Sequence, residues 1–372
     1  MRPTRALIHT DNFLSNVRCV RSLIGAKPLV MAVVKANAYG HGLEIIIKAA
    51  EASGEVGYFG VATEEEGVAL RKLTKLPILV LTTALEDEVD EFIKNDLEFT
   101  LCDKHLLDVI VARVKVLGKK AKVHLKVDTG MRRVGIEPIE ALAFARNIAA
   151  ESESIEFIGV STHFATSDEI GSTFFTRQYA LFRDVVDVVR KSGIVIPIAH
   201  AANSGAILQR GKETAFDMVR PGIMLYGYAP SLELQEESRA QLKPVLEFTS
   251  AVAFTKRITK GEGVSYNLRW HAEHDTNIAT VPAGYGDGYP RLLTNKINAC
   301  INGKQYPVRG TICMDQILIE TGNDQVRIGE EVILLSEHDA TLDAWTLASK
   351  IGTIPYEILT NITARVPRLV KI

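Results

Sequence analysis

Several residues able to do chemistry fall where an apolar strand should end and a loop begin. The first is Lys35, which closes the run Val30-Met31-Ala32-Val33-Val34 and precedes the glycine-punctuated Ala36-Asn37-Ala38-Tyr39-Gly40-His41-Gly42. Burial at such a strand end disfavours the ammonium form and makes the amine a usable nucleophile or base. A strand-end lysine also snorkels into water without any chemical role, and the local pattern admits both readings. Lys126 and Asp128 close residues 122–127, His163 follows residues 157–162, His200 follows 194–199, and Arg220 follows 216–219. Asp128 equally suits a loop cap, His163 a satisfied core histidine, and His200-Ala201-Ala202-Asn203-Ser204-Gly205 a helix-capping turn. Ser204 at a helix start and Arg220-Pro221-Gly222-Ile223, with its close-approaching glycine backbone, both suit a phosphate.

The elements that would position these residues alternate regularly. Helices are expected at 12–24, 43–53, 64–73, 86–94, 103–117, 138–150 and 174–191, with a short one after Ser204. Strands are expected at 30–35, 58–62, 77–81, 97–101, 122–127, 157–162, 194–199 and 216–219. About eight strand–helix alternations over roughly 220 residues are the signature of a (β/α)8 TIM-like barrel, with a doubly wound open sheet as the competitor. Barrels collect catalytic groups at the C-terminal ends of their strands, and every polar residue singled out above falls there. Residues 233–239 read as a charged linker. Beyond them come strands at 246–254, 277–281, 298–301, 316–320 and 332–335, with one helix near 342–351. Asn302-Gly303 between two runs is a strong hairpin turn. The expected organisation is therefore a barrel over 1–240 and a mainly β domain over 241–372.

Composition narrows the class. The 372 residues are 47% hydrophobic and 24% charged with a net charge of −2, enough apolar material for large cores. A near-neutral balance without a basic, aromatic-interleaved stripe argues against nucleic acid as a partner. No stretch has the length of a membrane span, and the N-terminal residues do not read as a signal peptide. The four cysteines, Cys19, Cys102, Cys300 and Cys313, lack metal-binding spacing, so no metal is expected and a reducing cytoplasmic setting is the default.

The longer strings carry a resemblance. Val33-Val34-Lys35-Ala36-Asn37-Ala38-Tyr39-Gly40-His41-Gly42 closely resembles the cofactor-lysine motif of the alanine racemases, pyridoxal-phosphate enzymes of fold type III. His124-Leu125-Lys126-Val127-Asp128-Thr129-Gly130-Met131-Arg132-Arg133-Val134-Gly135 is similar to that family's substrate-arginine segment. Thr162-His163-Phe164-Ala165, Asn203-Ser204 and Arg220-Pro221-Gly222-Ile223-Met224-Leu225-Tyr226-Gly227 resemble its cofactor-contact segments. Val264-Ser265-Tyr266 looks like its catalytic tyrosine motif. Pro282-Ala283-Gly284-Tyr285-Gly286-Asp287-Gly288 and Cys313-Met314-Asp315-Gln316 look like its turn and substrate-backbone loop. Three positions depart from the family pattern: Arg132 stands beside Arg133, Asn267 rather than glycine follows Tyr266, and Pro355 replaces the common asparagine before Tyr356.

The resemblance implies interconversion of L- and D-alanine, supplying D-alanine for peptidoglycan, with pyridoxal 5'-phosphate bound to Lys35 as a Schiff base. Racemisation needs a proton removed from one face of Cα and returned to the other, so two bases on opposite faces are the natural solution. The family assigns these to Lys35 and Tyr266. A tyrosine base needs a nearby cation or hydrogen-bond chain, for which His163 and Arg220 are suitable. Tyr39, Ser204, Gly222, Ile223 and Tyr356 would hold the phosphate, and Arg220 the ring nitrogen. Arg133 and the Met314 backbone N–H would receive the substrate carboxylate. Lys126 matches a lysine often carbamylated in relatives, against a plain Lys126–Asp128 surface pair. A head-to-tail homodimer with shared sites is implied too. The alternatives are a broader amino-acid (serine) racemase, a pyridoxal-phosphate decarboxylase and a non-enzymatic carrier of the cofactor.

Overall fold

The computed structural model describes residues 2–238, 240–336 and 338–371. Contacts divide the chain into two units, one of residues 14–38 and 46–242, the other of residues 1–13, 39–45 and 243–372.

The first unit is a closed, all-parallel barrel of eight strands: Leu29–Val33, Tyr58–Val61, Ile78–Val80, Glu98–Leu101, Ala121–Lys126, Ile155–Ser161, Ile198–His200 and Met218–Val219. The competing open sheet is thereby excluded, because the first strand pairs with the eighth through Leu29↔Met218 and Val30↔Val219. Most of the first strand is buried, which explains its unbroken apolar run. Helices with one apolar stripe surround the strands; Thr173–Lys191, for example, buries Phe175, Phe182, Val185, Val186 and Val189. Its N-cap Ser172 accepts from the Phe175 N–H at 3.2 Å. Boundaries shift modestly from those expected. The strand read at 194–199 begins only at Ile198, and Lys35 lies two residues past the end of the first strand. The expected linker contains a helix, Leu232–Glu237, capped by Ser231, while its last residue, Arg239, lies outside the described residues.

The second unit is built on two sheets, one of six strands and one of three. The expected boundary grouped the N-terminus with the barrel. In the structure Arg5–Ile8 pairs with Leu246–Ala251 on one side and Arg368–Val370 on the other, inside the six-stranded sheet. Its alternating burial gives it a face for that sheet's core, with Ala6 and Ile8 fully buried. The run read as one strand at 246–254 is two, Leu246–Ala251 and Phe254–Ile258, in different sheets. The Asn302-Gly303 hairpin forms as expected, with both residues at positive φ (52° and 75°) joining Asn298–Ile301 to Lys304–Pro307. Among the described residues no helix is long and apolar enough to cross a membrane, and no cluster of side chains suits a metal ion.

Gly40 marks a tight approach within this unit. Its φ is +83°, and a Cβ there would lie 2.2 Å from the Leu359 carbonyl oxygen. Gly54 has φ +65° but nothing within 4 Å. Gly40→Ala is expected to cost roughly 2–4 kcal/mol and Gly54→Ala about 1 kcal/mol. Thermal melts of the two variants check this ordering.

Candidate active site

Lys35 opens a backbone turn that L-residues rarely adopt: Ala36, Asn37, Ala38 and Tyr39 all have φ between 52° and 55°. Glu66, near the start of helix Glu64–Arg71, holds this turn. Its two carboxylate oxygens accept from the Ala36 N–H at 2.6 Å and the Ala62 N–H at 2.8 Å. The Ala38 N–H reaches the Val34 carbonyl at 2.8 Å. Burial, reinforced by the Arg133 charge and opposed by Glu66, lowers the Lys35 pKa, so the neutral amine is more accessible than in free lysine.

Four further strands, the fifth to the eighth, send polar residues to the same end of the barrel. Arg220, after the eighth strand, is buried, and its guanidinium is satisfied mainly by neutral acceptors. Nη1 donates to His200 Nδ1 at 2.8 Å. Nη2 donates to the carbonyls of Thr162 (2.7 Å) and Ala201 (3.1 Å) and lies 3.3 Å from His163 Nδ1. Burial and Arg133 lower the Arg220 pKa to about 10, which leaves it a cation at neutral pH. Burial, followed by the Arg220 charge, holds both His163 and His200 well below the ordinary imidazole range, so both rings are neutral. Neither histidine supplies positive charge to the site.

Lys126 and the two neighbouring arginines separate cleanly. Lys126 makes no ion pair with Asp128, whose Oδ1 instead accepts from the Gly130 N–H at 2.8 Å. Burial, then the charges of Arg220 and Arg133, push the Lys126 pKa down to about 7. Arg132 turns to Glu137, while the Arg133 charge acts on Lys35, Lys126, His163 and Arg220. Thus Arg133, not Arg132, belongs electrostatically to the barrel mouth.

Beyond the seventh and eighth strands lies a cradle. Asn203 caps helix Ser204–Arg210, so Ser204 is its first residue rather than its cap. The Ser204 hydroxyl accepts from the N–H groups of Gly222 (3.0 Å) and Met224 (3.4 Å). Ile223, fully buried at the start of a 3-10 turn, has a backbone N–H with no acceptor among the described residues. That orphan donor beside a serine hydroxyl is what a phosphate oxygen would satisfy.

The other expected residues lie in the β-rich unit. Tyr39 and Tyr356 come together there, ring centroids 6.0 Å apart. Pro355 is the first residue of helix Pro355–Thr360, where its missing N–H costs nothing, which accounts for this departure from the family pattern. Tyr266 sits on a turn whose neighbours Ser265, Asn267 and Leu268 all have positive φ. Asn267 therefore occupies a left-handed position that favours glycine and that asparagine tolerates. The Thr311 hydroxyl donates to the Tyr266 carbonyl at 2.8 Å and pins the turn. The Met314 carbonyl accepts from the Gly286 N–H at 2.8 Å, while its own N–H has no acceptor among the described residues. Two buried or anchoring carboxylates, Glu66 and Glu98, were not singled out from the sequence. A lone carboxylate inside the apolar strand Leu97-Glu98-Phe99 was the available signal.

Residues 8–230 match the alanine racemase N-terminal domain and residues 245–370 its C-terminal domain. This chain belongs to the alanine racemase family. It is 41% identical to the alanine racemase of Treponema denticola over 99% of this chain and 98% of that protein. It is 39% identical to that of Halothermothrix orenii over 100% and 97%. Among solved structures, the alanine racemase of Streptomyces lavendulae matches with TM-score 0.93 at 34% identity, covering 100% of this chain and 98% of that one. That of Bacillus anthracis, with bound L-Ala-P, matches with TM-score 0.92 at 33% identity, covering 100% and 96%. Alanine racemases depend on pyridoxal 5'-phosphate. The residues present fit that group. Lys35 offers an amine shifted towards its neutral form, Ile223 and Ser204 offer a phosphate cradle, and Arg220 retains its Nε–H and one Nη1–H without acceptors among the described residues.

The depressed Lys126 pKa has a measurable consequence. In carbon-dioxide-free buffer the Lys126 Cε resonance should titrate with a midpoint near 7 rather than in the ordinary lysine range. Because the unfolded chain then holds more protons between about pH 7 and 10.4, stability should rise across that window. A midpoint near the free-lysine value would contradict the burial argument.

Proposed function

We propose that this chain interconverts L- and D-alanine with pyridoxal 5'-phosphate held at the barrel mouth, as a racemase supplying D-alanine for peptidoglycan. The observation that carries the reading is Lys35, half-buried and acted on by the Arg133 charge, with its amine shifted towards the neutral form, just past the first barrel strand. When bound, pyridoxal phosphate would supply an electron sink for the substrate's Cα, acidifying its proton. The Lys35 amine then serves as base on one face, and the Tyr266 hydroxyl exchanges the proton on the other. Arg220, a cation at neutral pH, would donate to the ring nitrogen without giving up its proton, which would limit electron withdrawal and suppress side reactions such as transamination. Ser204, Gly222, Ile223, Tyr39 and Tyr356 would hold the phosphate, Arg133 and the Met314 N–H would receive the substrate carboxylate, and His163 would orient Arg220. Above about pH 7 the neutral Lys126 amine is the form that adds carbon dioxide, and the resulting carbamate would orient Arg133.

Exposure supports a homodimer. Tyr266 is 68% and Met314 52% exposed, although the turns bearing them are tightly held, so a second copy packed on this surface would complete each site. All four cysteines are unpaired, which supports a cytoplasmic setting.

Purified protein with pyridoxal phosphate, given L-alanine in heavy water, should yield D-alanine deuterated at Cα, and Lys35→Ala should yield none. Equal turnover of L-serine would broaden the specificity, amine with carbon dioxide would mean a decarboxylase, and no product a cofactor carrier. Tyr266→Phe should lose racemisation while still binding the cofactor. If sites are shared head to tail, mixing inactive Lys35→Ala and Tyr266→Phe should restore about a quarter of wild-type activity through heterodimers. No recovery after subunit exchange would place both bases on one chain.

A further inference from the structure

Barrel interiors of this type are normally filled by layers of aliphatic side chains. Here a polar chain runs through the interior. Tyr58 on the second strand, Glu98 on the fourth, His124 on the fifth and His200 on the seventh are each at most 4% exposed. His200 Nε2 lies 2.9 Å from His124 Nδ1, and His124 Nε2 lies 2.8 Å from Glu98 Oε2. The Tyr58 hydroxyl donates to that same oxygen at 2.6 Å. The far end is Arg220, through His200 Nδ1 at 2.8 Å.

The direction of every hydrogen bond follows from the arginine. A guanidinium only donates, so His200 Nδ1 must be the acceptor and its proton must sit on Nε2. That proton is donated to His124 Nδ1, which places the His124 proton on Nε2. The His124 Nε2–H is then donated to Glu98 Oε2, which also accepts from the Tyr58 hydroxyl. Reversing any single link would set two N–H groups against each other. The chain therefore has one consistent donor direction, running from the Arg220 cation through two Nε2-protonated rings to the Glu98 oxygen.

A glycine shows that the chain is built into the barrel. Gly159 has no positive φ to require it, yet a Cβ there would lie 2.7 Å from His124 Nδ1 and 2.4 Å from the Ile198 carbonyl. The missing side chain is the space in which the His124 ring meets His200. Thr100 and Gly159 are the residues paired with His124 on the two flanking strands, so the ring's height in the barrel is fixed by register.

We infer that Glu98 is a positioning residue for the racemase site. Through His124 and His200 it fixes which Arg220 N–H is spent inside the barrel and which donors remain for the cofactor ring. This rests on the function proposed above, but its test does not need turnover. In holoenzyme labelled with 15N-histidine, His124 and His200 should each show one protonated Nε2 and one bare Nδ1. Glu98→Gln keeps the size and one acceptor oxygen. The amide can also turn and donate to His124 Nε2, which moves the ring protons to Nδ1 and sets His200 Nδ1–H against Arg220, so the rings should become a mixture of tautomers with the His200–Arg220 bond broken in the reversed fraction. The kcat for alanine should fall roughly tenfold to a hundredfold, with KM changed less than about twofold. Tyr58→Phe removes one hydrogen bond from the same carboxylate without cutting the chain, and should leave both the tautomers and kcat close to wild type.

A protonated Nδ1 on either wild-type ring would overturn the inference, as would a Glu98→Gln enzyme with single tautomers and full kcat. Equal losses in Glu98→Gln and Tyr58→Phe would likewise overturn it, since that is what a purely structural cluster predicts. Absence of alanine turnover in the wild type would instead refute the proposed function, and the tautomer measurement would still test the chain.

Discussion

The left-handed turn after Lys35 is the constraint on which the site depends. Four consecutive residues without glycine, Ala36 to Tyr39, hold φ near +50°, at roughly 1–2 kcal/mol each. The total is comparable with the net stability of a whole domain. Such a turn persists only when its surroundings over-determine it. Glu66 takes the Ala36 N–H, the Val34 carbonyl takes the Ala38 N–H, and the His41 Nδ1–H is donated to the Tyr39 carbonyl at 2.8 Å. Ala38 and Tyr39 are buried, and Gly40 fits against the Leu359 carbonyl with no room for a Cβ. The strain is concentrated where a lysine must be presented from a strand end with its amine shielded from water.

A second constraint is positive charge. Lys35, Lys126, Arg133 and Arg220 act on one another at the barrel mouth, and burial adds to their repulsion. Lys35, Lys126 and Arg220 all shift towards neutrality, but Arg220, at about 10, stays a cation at neutral pH. It is held by carbonyl dipoles and neutral imidazoles. A doubly charged phosphate or a carboxylate is the kind of anion that such a site would attract. The same excess of positive charge thus shifts the lysine amines towards the neutral form and attracts anionic ligands.

Much of this was legible in the sequence because barrel strands are short apolar runs ending in polar residues. Lys35, Lys126, His163, His200 and Arg220 could be assigned to one end of a barrel by counting strands alone. The family resemblance then supplied Tyr266, Met314 and Tyr356, which periodicity could not connect to that end. What the sequence hid was long-range pairing. Nothing local shows that Arg5–Ile8 joins strands about 240 and 360 residues away, so the N-terminus was grouped with the barrel. Glu98 was hidden for a related reason. A carboxylate in a strand reads as exposed until the strands that face it bring His124 and Tyr58 to its oxygens. The left-handed turn was equally illegible, since Ala-Asn-Ala-Tyr carries no glycine to announce it.

The most direct measurement of the central claim is where the cofactor attaches. Protein incubated with pyridoxal 5'-phosphate, reduced with borohydride and digested should carry the phosphopyridoxyl mass on the peptide containing Lys35 and on no other. Labelling at Lys126 or at a surface lysine instead, or no label at all, would contradict the site built around the strand-end lysine.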